Sequence, residues 1–431
     1  MNATERTPEG ATNLKKILVE DIIIGMYVAA LDRPWLETPF AMQGFYVHSD
    51  ATIAGLSETC SYVYIDPRRY DSNLVDRLHG LSGRKQPSVN AKTIRDQLVP
   101  KERTRYRDEV EIPEEIESAK STLGHAVEVV DACIANLLAG RKLDTAAIEG
   151  AVKPIVSSVI RNKEAFSALV RMKQFDKYTY SHAIACAVWA AILGRELGYP
   201  PEDIEALSFG CALMDIGTTN LPPELLSQPS QLDKSQLESM RRHVEFGLEI
   251  VSDTGLSDQI TTTTIIKTHH ERFDGSGYPD GLTNSEIPIF GRIAGLVDSY
   301  DAMITPRPHS PALTSHQALL ELERNVDKLF QKELVGYFTS AIGIFPVGAV
   351  VELNSGEVGV VIKQHPDRRL RPKVMLILDK DKLPRAELTV TDLGFEDDAD
   401  NIATSWILHE LPKDSHGIDV SRYFLWNLNG G

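Results

Sequence analysis

Histidines and aspartates recur through one helical stretch of the chain at places where solvent-facing residues are not expected. His182 opens a run of small apolar residues, Ala183-Ile-Ala-Cys-Ala-Val188, whose helix should be buried, so its imidazole needs a partner. Asp215 ends the apolar run Cys211-Ala-Leu-Met214, with Gly217 placed as a C-terminal cap. A carboxylate there meets the negative end of the helix dipole and loses hydration; a bound cation relieves both. His243 sits mid-helix in Met240-Arg-Arg-His-Val-Glu-Phe-Gly247, and His269-His270-Glu271 closes another helix before the loop Asp274-Gly-Ser-Gly-Tyr-Pro279. Consecutive helix residues diverge by about 100°, so His269 and His270 are expected to serve two adjacent metals rather than chelate one. Asp298 and Asp301 lie three apart on one face of an apolar helix. Taken alone, each is more ordinarily a hydrogen-bonded core residue or a surface charge. As an ordered set on consecutive helices they suit Fe, Mn, Ni or Zn rather than Ca or Mg. Gly275 and Gly277 permit positive φ, Pro279-Asp-Gly281 is a further turn signal, and the loop reads as a lid or wall of the site.

The elements that must hold this set are helical. From Ile116 the apolar residues Val127, Val130, Ile134, Leu137 and Leu138 recur at spacings of three and four, placing them on one helix face. The pattern runs to about Phe338, with breaks at Gly198-Tyr-Pro-Pro201, Asn220-Leu-Pro-Pro223, Asp274 to Gly281 and Pro306-Arg-Pro308. This predicts an all-α core over 116–342. Before it, residues 1–67 alternate in a β-like way (Ile22-Ile-Ile24, Tyr27-Val28, Tyr46-Val47, Tyr62-Val-Tyr-Ile65), and 68–115 is polar enough for a linker. After it, residues 343–431 turn to short β runs, with Asn354-Ser-Gly356 as a hairpin turn. The chain is thus expected to be multidomain, an all-α helical core flanked by a small mostly-β N-terminal module and a small β-rich, barrel-like C-terminal appendage.

Bulk composition agrees. The chain has 431 residues, 42% hydrophobic and 25% charged, as a globular multidomain protein should. Its longest apolar stretch, Ala183 to Leu193, is too short to cross a bilayer, and no leader is visible, so a cytoplasmic location without a membrane span is expected. The four cysteines are scattered and fit buried reduced thiols. A formal charge of −16 argues against a nucleic-acid surface, and a phosphate substrate would have to be held by local cations or bound metal.

The stretch His269-His-Glu-Arg-Phe-Asp-Gly-Ser-Gly-Tyr-Pro279 closely resembles the signature of HD-GYP proteins. Tyr178-Thr-Tyr-Ser-His182, Asp215-Ile-Gly217, Met240-Arg-Arg-His243, Asp298-Ser-Tyr-Asp-Ala302 and Thr305-Pro-Arg-Pro308 agree with it, over roughly 119–338. Gly25-Met-Tyr-Val28 and Leu31 to Pro39 resemble the module that often precedes such domains. The resemblance implies hydrolysis of cyclic di-GMP to pGpG, and in some members to GMP, in second-messenger signalling. It implies metal ligands at His182, Asp215, His243, His269, His270 and Asp298, with Asp215 bridging and helping to activate water. It implies two or three Fe or Mn ions, and substrate contacts at Arg307, Gly275, Gly277, Tyr278, Pro279 and Asp301. A homodimer and a diguanylate cyclase partner are among the assemblies it suggests. Three residues depart from the family pattern. Met214 replaces the histidine of the His-Asp pair, Thr218 replaces a lysine, and Ser310 replaces a basic residue. They leave three readings: a phosphodiesterase with a weakened centre, a degenerate domain that binds cyclic di-GMP or a cyclase as sensor or scaffold, and a structural helical core whose His/Asp cluster is a relic without metal.

Overall fold

A computed structural model describes residues 14–22, 26–33, 38, 40, 44–47, 50–70, 98–100, 102–172, 178–226, 233–254, 260–306, 311–365, 368–394, 405–413 and 415–420. The chain divides into two compact units, Met1–Val89 and Asn90–Gly431.

In the first unit, β1 (Lys15–Leu18), β2 (Met26–Leu31), β3 (Phe45–Tyr46) and β4 (Tyr62–Tyr70) form an antiparallel sheet in the order β1-β4-β2-β3. The helix α1 (Asp50–Thr59) connects β3 to β4, and its Leu56 lies in the core with Val28, Val63 and Ile65. The β alternation concealed this helix because Ala51 to Leu56 mixes Ala and Leu with the weaker helix formers Thr52, Ile53 and Gly55 and has no strong amphipathic stripe. Ile22 follows a 3-10 turn rather than sitting in a strand, and Ile23 and Ile24 lie outside the described residues.

The second unit opens with α2 (Ile112–Leu138), α3 (Thr145–Arg161) and α4 (Lys163–Met172). Pro113 in the first turn of α2 suits a helix start, because the missing N–H has no partner there anyway. The buried stripe of α2 is Leu123, Ala126, Val130, Cys133 and Ile134, one notch round from the expected face, and Leu138 is exposed. Next come α5 (Tyr178–Leu197), α6 (Pro201–Leu213), α7 (Pro223–Leu226), α8 (Lys234–Arg241), α9 (His243–Ser252), α10 (Ile260–Thr268), α11 (Ile289–Ile304), α12 (Ser315–Arg324) and α13 (Lys332–Ile342). From Ile184 to Leu193, α5 is buried on every side, which makes it the axis of the bundle. The expected breaks at 198–201, 220–223 and 274–281 are found, while 307–308 lie outside the described residues.

The chain then forms a five-stranded antiparallel sheet in the order β8-β7-β6-β5-β9. Its strands are β5 (Val350–Leu353), β6 (Val358–Lys363), β7 (Lys373–Leu378), β8 (Pro384–Asp392) and β9 (Ile407–Leu411). The Asn354-Ser-Gly356 turn is present, with Gly356 at φ +85°. This sheet is fastened to the bundle by a buried ion pair, Arg171 to Glu410 at 3.2 Å. The second Glu410 oxygen accepts the backbone N–H of His316 at the start of α12. The expected architecture of a helical core between two β-rich pieces is the one observed. No helix among the described residues is long and apolar enough to span a membrane.

Candidate metal centre

Five segments of the bundle aim their polar side chains at one point. His182 lies early in α5, Asp215 just past α6, His243 at the first position of α9, and Asp298 in α11. His269 and His270 follow the last residue of α10.

Two of these placements differ from the sequence reading. His243 starts a helix instead of lying inside one, since the chain breaks between α8 and α9 at Arg242. His269 and His270 are not helical neighbours, because α10 ends at Thr268 and both stand in the turn beyond it. The divergence of successive helix residues therefore does not apply, and their rings lie 4.0 Å apart between centroids, on the same side. Gly217 is likewise not a positive-φ cap. It lies in a 3-10 turn (Ile216–Asn220) against α9, where a Cβ would stand 1.9 Å from the His243 carbonyl oxygen and 2.4 Å from the Gly247 nitrogen. Absence of a side chain at Gly217 thus lets His243 approach Asp215.

The donor atoms fall into two adjoining sets that share Asp215: Asp215 with His243, His269 and His270, and Asp215 with His182 and Asp298, the atoms of each set lying within 4.8 Å of one another. In the first set, His243 Nδ1–H donates to the Met240 carbonyl at 2.8 Å and His269 Nδ1–H to the Ile266 carbonyl at 2.9 Å. Those bonds fix the tautomers, so in each neutral ring Nε2 carries a bare lone pair. The two lone pairs face each other at 3.4 Å, and Asp215 Oδ1 lies 3.5 and 3.6 Å from them. Three acceptors converge there without a proton to share. The spacing is that of ligands around an ion, since bonds of 2.0–2.1 Å in a tetrahedron give edges of roughly 3.4 Å. The residues present fit a metal.

In the second set, His182 Nε2 is 3.1 Å from Asp298 Oδ1 and 3.7 Å from Asp215 Oδ2. Its other nitrogen, Nδ1, is 2.7 Å from Asp301 Oδ2, and Asp301 Oδ1 accepts the Trp189 indole N–H at 2.9 Å. Asp301, expected at the substrate, is only 2% exposed and faces these two partners, with the Thr305 hydroxyl donating to Oδ2 at 3.4 Å. The arrangement is that of a carboxylate orienting a histidine from behind. Cys186, one turn on from His182, places its sulfur 3.7 Å from both ring nitrogens.

The electrostatics fit anionic carboxylates set among histidines of divided tendency: burial opposes a charge on His182 and His269, yet Cys186, Asp298 and Asp301 raise the first and Asp215 raises the second. Burial pushes His270 well below an ordinary histidine, with the neighbouring His269 adding to the effect, and burial also lowers His243. Burial works against a charge on Asp215, yet the imidazoles of His269, His243 and His182 around it outweigh that and hold the carboxyl well below the usual range. Asp298, similarly opposed by burial, is held down at about 2 by the neighbouring imidazoles of His182 and His270.

The loop 274–281 forms a wall. Gly275 has φ +80°, Gly277 turns where a Cβ would strike the His270 carbonyl at 2.4 Å, and the Tyr278–Pro279 peptide is cis. Glu271 pins the loop by accepting the N–H groups of Asp280, Gly281 and Leu282 at 2.8–3.1 Å. The Tyr278 ring stacks on His270 at 4.6 Å and 27°. Arg307 and Ser310 lie outside the described residues. Sequence reasoning missed Trp189, Cys186 and Arg241; the first two were legible as one face of α5 with His182, at spacings of four and seven.

Residues 157–334 match the family described as HD domain, 14–148 a domain of unknown function (DUF3391), and 350–398 a KOW domain associated with HD domain. A cyclic di-GMP phosphodiesterase of Pseudomonas aeruginosa is 31% identical over 416 residues, 95% of this chain and 97% of that protein. The chain belongs to the HD-GYP family. Two relatives match over shorter lengths. A cyclic di-GMP phosphodiesterase of Thermotoga maritima is 34% identical over 163 residues, 38% of this chain and 44% of that protein. A 3'3'-cGAMP-specific phosphodiesterase of Vibrio cholerae is 31% identical over 160 residues, 37% of this chain and 31% of that protein. HD domains bind divalent metals, and this HD-GYP chain carries the His/Asp groups to do so.

Proposed function

We propose that this chain hydrolyses cyclic di-GMP to linear pGpG through two unequal metal sites. The observation that carries the reading is the sharing of Asp215 between a four-residue and a three-residue donor set. Asp215, His243, His269 and His270 would hold one ion, and His182, Asp215 and Asp298 the other, with iron or manganese best suited to imidazole mixed with carboxylate. Bound metal supplies a low-pKa water and a counter-charge for the phosphate oxygens. The chain's own residues do the positioning. Backbone carbonyls fix the His243 and His269 tautomers, Asp301 and Trp189 orient His182, and Glu271 holds the Gly275–Pro279 wall. Cyclic di-GMP is favoured over 3'3'-cGAMP because the relative named for it spans nearly the whole chain.

The inequality comes from Met214, which is 1% exposed and packed in the apolar core, so the three-residue set receives no imidazole from that position. Thr218 spends its hydroxyl on the Asp215 carbonyl at 2.7 Å and brings no cation. These two residues favour a second reading, a cytoplasmic cyclic di-GMP sensor that passes its state to a cyclase or to a second copy of the chain. Turnover separates the two. Protein loaded anaerobically with Fe(II) or Mn(II) should convert cyclic di-GMP to pGpG, faster than it converts 3'3'-cGAMP, and His269→Ala should abolish this. Saturable binding by the fully loaded protein with no pGpG would establish the sensor.

A further inference from the structure

We infer that Arg241 is a substrate-binding residue that takes a phosphate oxygen of the cyclic dinucleotide at the rim of the metal centre, an assignment that rests on the cyclic di-GMP reading above. Arg241 ends α8, two residues before the ligand His243, and is exposed. Its guanidinium lies over the Tyr278 ring at 4.8 Å from the centroid, and that ring in turn stacks on His270. The three side chains form a column running from solvent to the four-residue donor set. A guanidinium over an aromatic ring can still offer its N–H donors to a planar pair of oxygens, which is the geometry of phosphate recognition.

Among the described residues, the neighbouring cations are committed. Arg272 donates to the carbonyls of His269 and Glu271, Lys267 pairs with Asp280 at 2.8 Å, and Arg242 pairs with Glu245 while packing on Phe246. Arg241 makes no ion pair among the described residues. The need for a cation there is plain from charge. The chain carries −16 overall, the site adds Asp215 and Asp298, Thr218 contributes nothing, and a cyclic dinucleotide brings two phosphates. A fixed guanidinium at the rim offsets part of that repulsion.

The test is equilibrium binding of cyclic di-GMP to the metal-loaded full chain at low and high salt, with metal content measured for each protein. Arg241→Ala should weaken binding about ten- to a hundredfold, the range for a lost charge-assisted hydrogen bond. Its affinity should also depend less on salt than that of the native protein. Arg241→Lys should recover much of the loss. Binding by Arg241→Ala within twofold of native overturns the assignment, as does a Lys variant no better than Ala, because packing on Tyr278 alone would then explain the residue. Loss of metal in Arg241→Ala overturns it too, since the residue would be acting through the centre. If the native protein binds but does not hydrolyse, the phosphodiesterase reading fails while a weakened Arg241→Ala still supports the contact. A native protein that fails to bind overturns both.

Discussion

Asp301→Asn replaces one carboxylate oxygen by an amide nitrogen, removing the negative charge while keeping the size of the side chain. The structure fixes which atom goes where. The Trp189 indole N–H needs an acceptor at 2.9 Å, so the asparagine oxygen stays on that side and its NH2 turns to His182 Nδ1. Two donors then face each other unless the imidazole moves its proton from Nδ1 to Nε2, the nitrogen aimed at Asp215 and Asp298. Either response spoils His182 as a ligand. Loss of such an orienting carboxylate costs about ten- to a hundredfold in metal affinity, equivalent to roughly 1.4–2.8 kcal/mol. His182 belongs to the three-residue set and not to the four-residue one, so the effect should fall on one ion only. Equilibrium dialysis of Mn(II) under anaerobic conditions, read by elemental analysis, should show a tight step unchanged and a weaker step shifted to higher concentration. An isotherm identical to that of the native protein refutes the positioning role of Asp301, and equal weakening of both steps refutes the division into two sets.

Other substitutions probe the remaining supports. Met214→His combined with Thr218→Lys should raise cyclic di-GMP turnover at least tenfold and tighten the weaker metal step; an unchanged rate would mean that these positions do not limit the centre. Gly217→Ala drives a Cβ into the His243 carbonyl and the Gly247 nitrogen, so it should destabilise the helical unit by about 3 kcal/mol in urea unfolding and lower metal uptake. Glu115 is buried and accepts hydrogen bonds from Arg161 at 2.7 and 2.9 Å and from Ser158. Burial favours its neutral form, but those bonds prevail and hold it below its ordinary value of 4.5, so its contribution is present above that pH and fades as pH falls. Glu115→Gln should therefore cost about 2 kcal/mol at pH 7, with the gap to the native protein closing below about pH 4.5 in the same urea experiment.

The three-part architecture was legible because each part has its own hydrophobic period, and the donor residues were legible as a motif. What escaped the sequence was their grouping. Whether His269 and His270 address one ion or two depends on where α10 stops, and nothing in Ile265-Ile-Lys-Thr268 announces that stop. Asp301 reads as a site residue in its motif, yet Trp189, far away in sequence, draws its carboxylate behind His182. Gly217 looked like a cap because close approach of two backbones leaves the same residue type as positive φ does. The strands β8 and β9 carry a weak β pattern, because their mixed polar sequences, Pro384-Arg-Ala-Glu-Leu and Ile407-Leu-His-Glu-Leu411, reflect edge strands with little buried surface.

Product analysis of cyclic di-GMP incubated with the chain after anaerobic loading to two metal ions tests the shared-Asp215 centre most directly. The account predicts pGpG at a rate that Asp215→Asn abolishes, together with loss of both metal steps, since one carboxylate serves both sets. Retention of either metal step in Asp215→Asn, or the absence of pGpG from the fully loaded native protein, would contradict it.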